Sequence, residues 1–151
     1  MKKVLPMLIC TAFLGYMLYD GIVGVADVKQ RNQAFIKAWD IALTGQIVGL
    51  TQVDHDIGII DLRLDSIIGE AQQITDFGGE PFYLLQSGQR AKLVEAGLSE
   101  MQIGDRLQIA KTGELTILRD NQLISQRKIF FIEHAPFWKK VNWQSIKEDW
   151  E

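Results

Sequence analysis

Apolar positions along the chain change their spacing twice, and each change marks a boundary. From Val4 to Tyr19 no charged residue interrupts the run, and beyond Asp20 the apolar character continues to Ala26. As a helix, residues 4–26 would reach roughly 35 Å, enough to cross the hydrocarbon core of a bilayer. Lys2 and Lys3 ahead of the run keep that end inside and direct the remaining chain outward. Two readings follow: a single-pass anchor over residues 1–26, or a signal peptide cleaved after Gly24-Val25-Ala26.

Over residues 27–40 the spacing becomes helical. Val28, Phe35, Ile36 and Trp39 share one face, which predicts a juxtamembrane helix. Phe35 and Trp39, four residues apart, would pack it on the domain or on the bilayer interface.

After Asp40 the period falls to two. Ile41 to Val53 reads as a strand in which Gly45 and Gly49 mark bulges or sharp bends. Asp54-His55-Asp56 forms a turn. In Ile60-Asp61-Leu62-Arg63-Leu64-Asp65, Ile60, Leu62 and Leu64 should face a core while Asp61, Arg63 and Asp65 face water. Gln72 to Phe77 and Pro81 to Leu85 suggest a further strand region around Gly78-Gly79. Gln86 to Ala96 reads as a short helix with Ser87 as N-cap, an Ala91-Leu93-Val94 stripe and Gly97 at C′. Strands follow at Asp105–Ala110, Leu115–Leu118 and Leu123–Ile132, separated by turns at 111–114 and 119–122.

Strands, one short helix, then strands is the order of a small OB-like barrel, with an SH3-like barrel as competitor. The predicted organisation is therefore mainly β: anchor 1–26, juxtamembrane helix 27–40, barrel domain 41–132 and a tail over 133–151. The tail holds three of the four tryptophans. Pro136 could open a helix there, and Trp143, Ile146 and Trp150 would share its face. Phe137, Trp138, Trp143 and Trp150 are the candidate partner-binding residues, against the alternative that the aromatics form a lid on their own domain.

Charge and chemistry narrow the function classes. With 16 Lys and Arg against 19 Asp and Glu, the formal net charge is −3, which argues against nucleic acid as a partner. Cys10, the one cysteine, lies in the apolar run, so the domain offers neither a disulfide nor a thiolate. Neighbouring residues in Asp54-His55-Asp56 point apart and suit turn chemistry better than metal ligation. No Gly-x-Ser-x-Gly elbow or phosphate-binding glycine loop is present, and Asp61, Asp65, Glu114 and Asp120 fall at outward or turn positions. No catalytic, metal or cofactor-binding residues are assigned.

The order of anchor, polar helix, Thr44-Gly45-Gln46-Ile47-Val48-Gly49, Met101-Gln102-Ile103-Gly104-Asp105-Arg106-Leu107 and Thr112-Gly113-Glu114-Leu115 resembles small bacterial envelope proteins with one N-terminal helix and a small β-barrel. In them a Gly-Asp-hydrophobic turn like Gly104-Asp105-Arg106-Leu107 opens a strand, and a charged turn like Arg119-Asp120-Asn121-Gln122 separates the last two. This chain departs from them by its tryptophan-rich extension. A weaker similarity, to anchored OB-fold haem chaperones, places His134 near their haem-binding histidine, although Phe137 and Trp138 replace the expected tyrosine context. The resemblance implies no activity. The expectation is a non-enzymatic module anchored through residues 4–26 in the inner membrane of a bacterium, facing the periplasm and binding a protein partner or envelope component. A haem or metal carrier and a small hydrolase are the alternatives.

Overall fold

The computed structural model describes residues 24–69 and 84–130. Most of the apolar run, the segment holding Gln72 to Phe77, and the tail with His134, Phe137, Trp138, Trp143 and Trp150 lie outside the described residues. Residues 24–38 are helical (α1). Among the described residues no helix is long and apolar enough to cross a membrane. By its contacts the chain divides into two units, Met1–Ala34 and Phe35–Glu151. Within the first, α1 is exposed and carries an Asp27–Arg31 ion pair at 3.0 Å, one turn apart.

The second unit is mainly β, as the period-two pattern predicts. Its strands are β1 Ala42–Asp54, β2 Ile57–Ile68, β3 Leu84–Ser87, β4 Arg90–Ala96, β5 Arg106–Ile109, β6 Glu114–Arg119 and β7 Gln122–Lys128. They form one seven-stranded sheet in the order β3-β4-β2-β1-β5-β6-β7, and every neighbouring pair is antiparallel. Among the described residues the ladder is open, with β3 and β7 as its ends.

Side chains rather than a ladder bring β7 to β4. Arg127 donates to Glu95 and to the Ala96 carbonyl, and the Phe130 N–H donates to Glu95 Oε2 at 3.2 Å. The sheet therefore curls around its apolar face. Ile60, Leu62 and Leu64 are buried on that face, as their alternation predicts, together with Leu43, Ile47, Leu93, Leu107, Ile109, Leu115 and Ile117. Phe35 and Trp39 are buried in the same cluster. Their rings lie 6.1 Å apart, and the Trp39 indole N–H donates to the Ile41 carbonyl at 2.6 Å. This satisfies the polar end of a buried indole where the chain turns into β1.

The β1–β2 register shifts at Thr44/Gly45 and at Ile47/Gly49, the two glycines read as bulges. A Cβ on Gly45 would sit 2.7 Å from the Arg63 carbonyl oxygen, so backbone crowding demands glycine there. Asp120 and Asn121 both have positive φ, 52° and 65°, which makes the β6–β7 connection a two-residue hairpin turn of the primed kind.

One element departs from the sequence prediction. Arg90–Ala96 is not the second half of a helix over 86–96 but strand β4, paired with β2 on one side and β3 on the other. Ala91, Leu93 and Glu95 are buried on its inner face and Lys92 and Val94 on its outer. Burial on both faces removes the alternation that marks a strand and leaves an apolar run that mimics a helical stripe. Ser87 accordingly ends β3 rather than capping a helix. Gly97 does adopt the left-handed conformation, φ 76°, but as the entry to a single 3₁₀ turn at Leu98–Glu100 between β4 and β5.

Candidate interaction surface

Two buried carboxylates tie strands of the curled sheet together, Asp105 at β5 and β6 and Glu95 at β4 and β7. Asp105 directly precedes β5 and is 2% exposed. Arg119, at the end of β6, reaches it with Nε to Oδ1 at 2.8 Å and Nη2 to Oδ2 at 2.9 Å, and the Gln102 N–H donates to Oδ2 at 2.8 Å. The two-pronged guanidinium contact holds the Asp105 carboxyl below its ordinary value against the opposing effect of burial. Asp105 in turn holds the Arg119 guanidinium above its ordinary value.

Glu95 is 1% exposed and lies where β4 extends past its pairing with β3. Its Oε1 accepts from Arg127 Nη1 at 2.9 Å and from the Ala96 N–H at 3.0 Å. Burial pushes this carboxyl up, and Arg127 with the two backbone donors works against that push. Both carboxylates are saturated with donors and belong to the architecture of the sheet.

The outer face is organised in rows that run across the strands. In one row the register places Arg90 of β4 opposite Arg63 of β2, Arg63 opposite Gln46 of β1, and Gln46 opposite Arg106 of β5. The same row continues through Leu118 of β6 to Leu123 of β7. Arg63 donates to the neutral Gln46 amide oxygen. The carboxylates on either side of Arg63 are engaged elsewhere, Asp61 with Lys92 at 2.6 Å and Asp65 with Arg106 at 2.9 Å. The neighbouring row is polar and uncharged: Ser66, Thr44, Gln108, Thr116 and Gln126 in consecutive strands. Ser66, Thr44, Gln108 and Thr116 line a concavity of about 230 Å³.

The third feature is the edge of β7, which ends the ladder among the described residues. Leu123 is 59% exposed, Ile124 42% and, just past the strand, Phe130 45%. A register shift in the β6–β7 ladder at Ile117/Leu118 lies beside Leu123 and Ile124. Edge strands with apolar side chains invite pairing with another chain.

At the tip of the β1–β2 hairpin, Asp54-His55-Asp56 behaves as turn chemistry of wider reach than its sequence suggests. His55 takes a positive φ of 44°, and Asp56 Oδ1 accepts from the Ser99 N–H at 2.6 Å, tying the tip to the 3₁₀ turn. Among the described residues no group of three or more His, Cys, Asp or Glu side chains is placed to hold a metal ion. Phe137, Trp138, Trp143 and Trp150 lie outside the described residues, so the surface consists of residues the sequence pattern did not single out. The row of Arg90, Arg63, Gln46 and Arg106 has no local signal, because only the pairing of four strands brings it together.

Comparison with protein-family models, with curated proteins and with solved structures found no match.

Proposed function

We propose that the chain is a non-enzymatic binding module that takes a protein partner along the open edge of β7. The observation that carries this reading is the combination of a terminal strand with exposed Leu123, Ile124 and Phe130. A partner strand added there would satisfy the outward backbone groups of β7 and cover these side chains, which is how sheet-edge recognition gains both affinity and specificity.

In this reading the curled sheet acts as a small barrel of OB-like form. The bulges of β1 and the Glu95–Arg127 contact across the gap between β4 and β7 support it. The apolar run over residues 4–26 supports a tether in a bacterial inner membrane with the domain outside the cytoplasm. The tail residues Phe137, Trp138, Trp143 and Trp150 would add a second aromatic contact to the same partner.

A photo-crosslinking amino acid at position 123 or 130 of the full chain, in cells, tests the reading. Adducts of one defined mass should form from both positions, be absent from position 32 on α1, and vanish when Ile124 is replaced by Lys. Equal labelling from all three positions, or none from 123 and 130, would rule the edge out.

A further inference from the structure

We infer that the outer face of the sheet carries a second recognition site, a neutral row that takes an extended glycan lying across the strands, one sugar ring to each strand. Ser66 of β2, Thr44 of β1, Gln108 of β5 and Thr116 of β6 are successive partners in the ladder, so register sets their side chains in line. Together they line the concavity of about 230 Å³, and Thr44, Gln108 and Thr116 are half-buried there. None of the four side chains has a hydrogen-bond partner among the described residues. Other glutamines of this face do: Gln46 donates to the Gly104 carbonyl at 3.3 Å, and Gln126 donates to Glu114. Polar groups partly withdrawn from water and left unpaired by the protein bond to whatever fills the concavity.

Chemistry, spacing and size together select a glycan. Hydroxyl and carboxamide groups each donate and accept, as the hydroxyls of a sugar ring do. Among the described residues Glu114 is the only charged side chain lining the concavity, which disfavours phosphates and other anions. Neighbouring strands lie roughly 4.8 Å apart, so the four positions span about 14 Å. The rings of an extended β-linked glycan follow one another at close to that spacing, whereas an extended peptide repeats its same-face side chains at about 6.8 Å, out of step with the strands. Ile68, exposed at the rim, offers an apolar ledge to the C–H face of a ring. The concavity is smaller than the roughly 300 Å³ at which pockets for a whole small molecule begin, as suits a seat for one unit of a chain whose other units lie along the row. The site goes beyond the β7-edge reading and does not depend on it, since its four side chains lie on β2, β1, β5 and β6.

The test uses the full chain in a detergent without a sugar headgroup, titrated calorimetrically with cellotetraose and chitotetraose, which are β-linked and extended, and with maltotetraose, which is α-linked and coiled. At least one β-linked tetramer should saturate the protein, keep its affinity as salt is raised, and bind about tenfold tighter than maltotetraose. Affinity should weaken about fivefold in Thr44→Val and in Thr116→Val, the loss of one neutral hydrogen bond, and persist in Ile124→Lys, which alters the β7 edge outside the row. Valine keeps the β-branch that suits a strand, so both row variants should fold, which thermal unfolding checks. They lie on different strands, and either alone carries the test. No saturable binding of either β-linked tetramer, equal affinity for maltotetraose, affinity unchanged in the row variants, or a serine-glycine peptide bound as tightly with the same dependence would overturn the proposal. Absence of crosslinking at position 123 with tetramer binding intact would remove the edge reading and leave this one standing.

Discussion

Asp105 and Glu95 are both buried carboxylates bonded to an arginine, yet their protons respond in opposite directions. Asp105 receives two guanidinium N–H groups and one backbone N–H, and its arginine reaches partly into solvent. Attraction outweighs burial, and the carboxyl is held low. Glu95 receives one guanidinium nitrogen, at 2.9 Å, and two backbone donors inside the curl of the sheet, and burial prevails. The number and directness of charged donors, rather than burial alone, set the sign. The two sites therefore do different work. Asp105 is a charged staple between the approach to β5 and the end of β6, whereas Glu95 closes a seam chiefly through its shape and hydrogen bonds.

The largest expected effect comes from emptying the seam. Glu95→Ala leaves the Arg127 guanidinium and the N–H groups of Ala96 and Phe130 without their acceptor, and should destabilise the fold by about 3 kcal/mol. Urea unfolding of the wild type and variant measures it; a loss near zero would mean the seam is not closed in solution.

Isosteric neutralisation then separates the two sites. Asp105→Asn turns an amide donor toward Arg119 and should cost about 2 kcal/mol, while Glu95→Gln keeps the Oε1 contacts and should cost less than about 1 kcal/mol. The reverse order in the same unfolding experiment would break the comparison.

The smallest effect is the pH profile. The Asp105 carboxyl is lowered in the fold, so its contribution is full above its ordinary value of 3.8 and is lost as pH falls through the lowered value. The Glu95 carboxyl is raised, so its contribution is full below 4.5 and is lost as pH rises through the raised value. Unfolding midpoints followed from acid to neutral pH should lose their acid-side slope in Asp105→Asn and flatten above 4.5 in Glu95→Gln.

Parts of this architecture were legible in the sequence because they are written locally. Alternation placed Ile60, Leu62 and Leu64 inward, Gly45 and Gly49 announced the β1 bulges, and Asp120-Asn121 marked a turn. The chain around Gly104-Asp105 also opens β5 as expected, but that Asp105 anchors Arg119 across the sheet was not readable from either motif. β4 was misread because sheet neighbours on both sides bury both of its faces. The partners of the buried Lys92 and Glu95 inside it, Asp61 and Arg127, are remote in sequence. The surface proposed for binding was hidden for the same reason, since register creates it.

The seam also bears on the order in which the chain can fold. Glu95 and Arg127 are 32 residues apart, and the edge of β4 that β3 leaves uncovered gains the Arg127 contacts only when β7, the last strand described, has docked. Closure of that loop is entropically costly and comes late, so seam contacts should be weak in the folding transition state. Weakening them would leave the folding rate nearly unchanged and speed unfolding, making the Glu95–Arg127 contact a determinant of how long the native sheet persists.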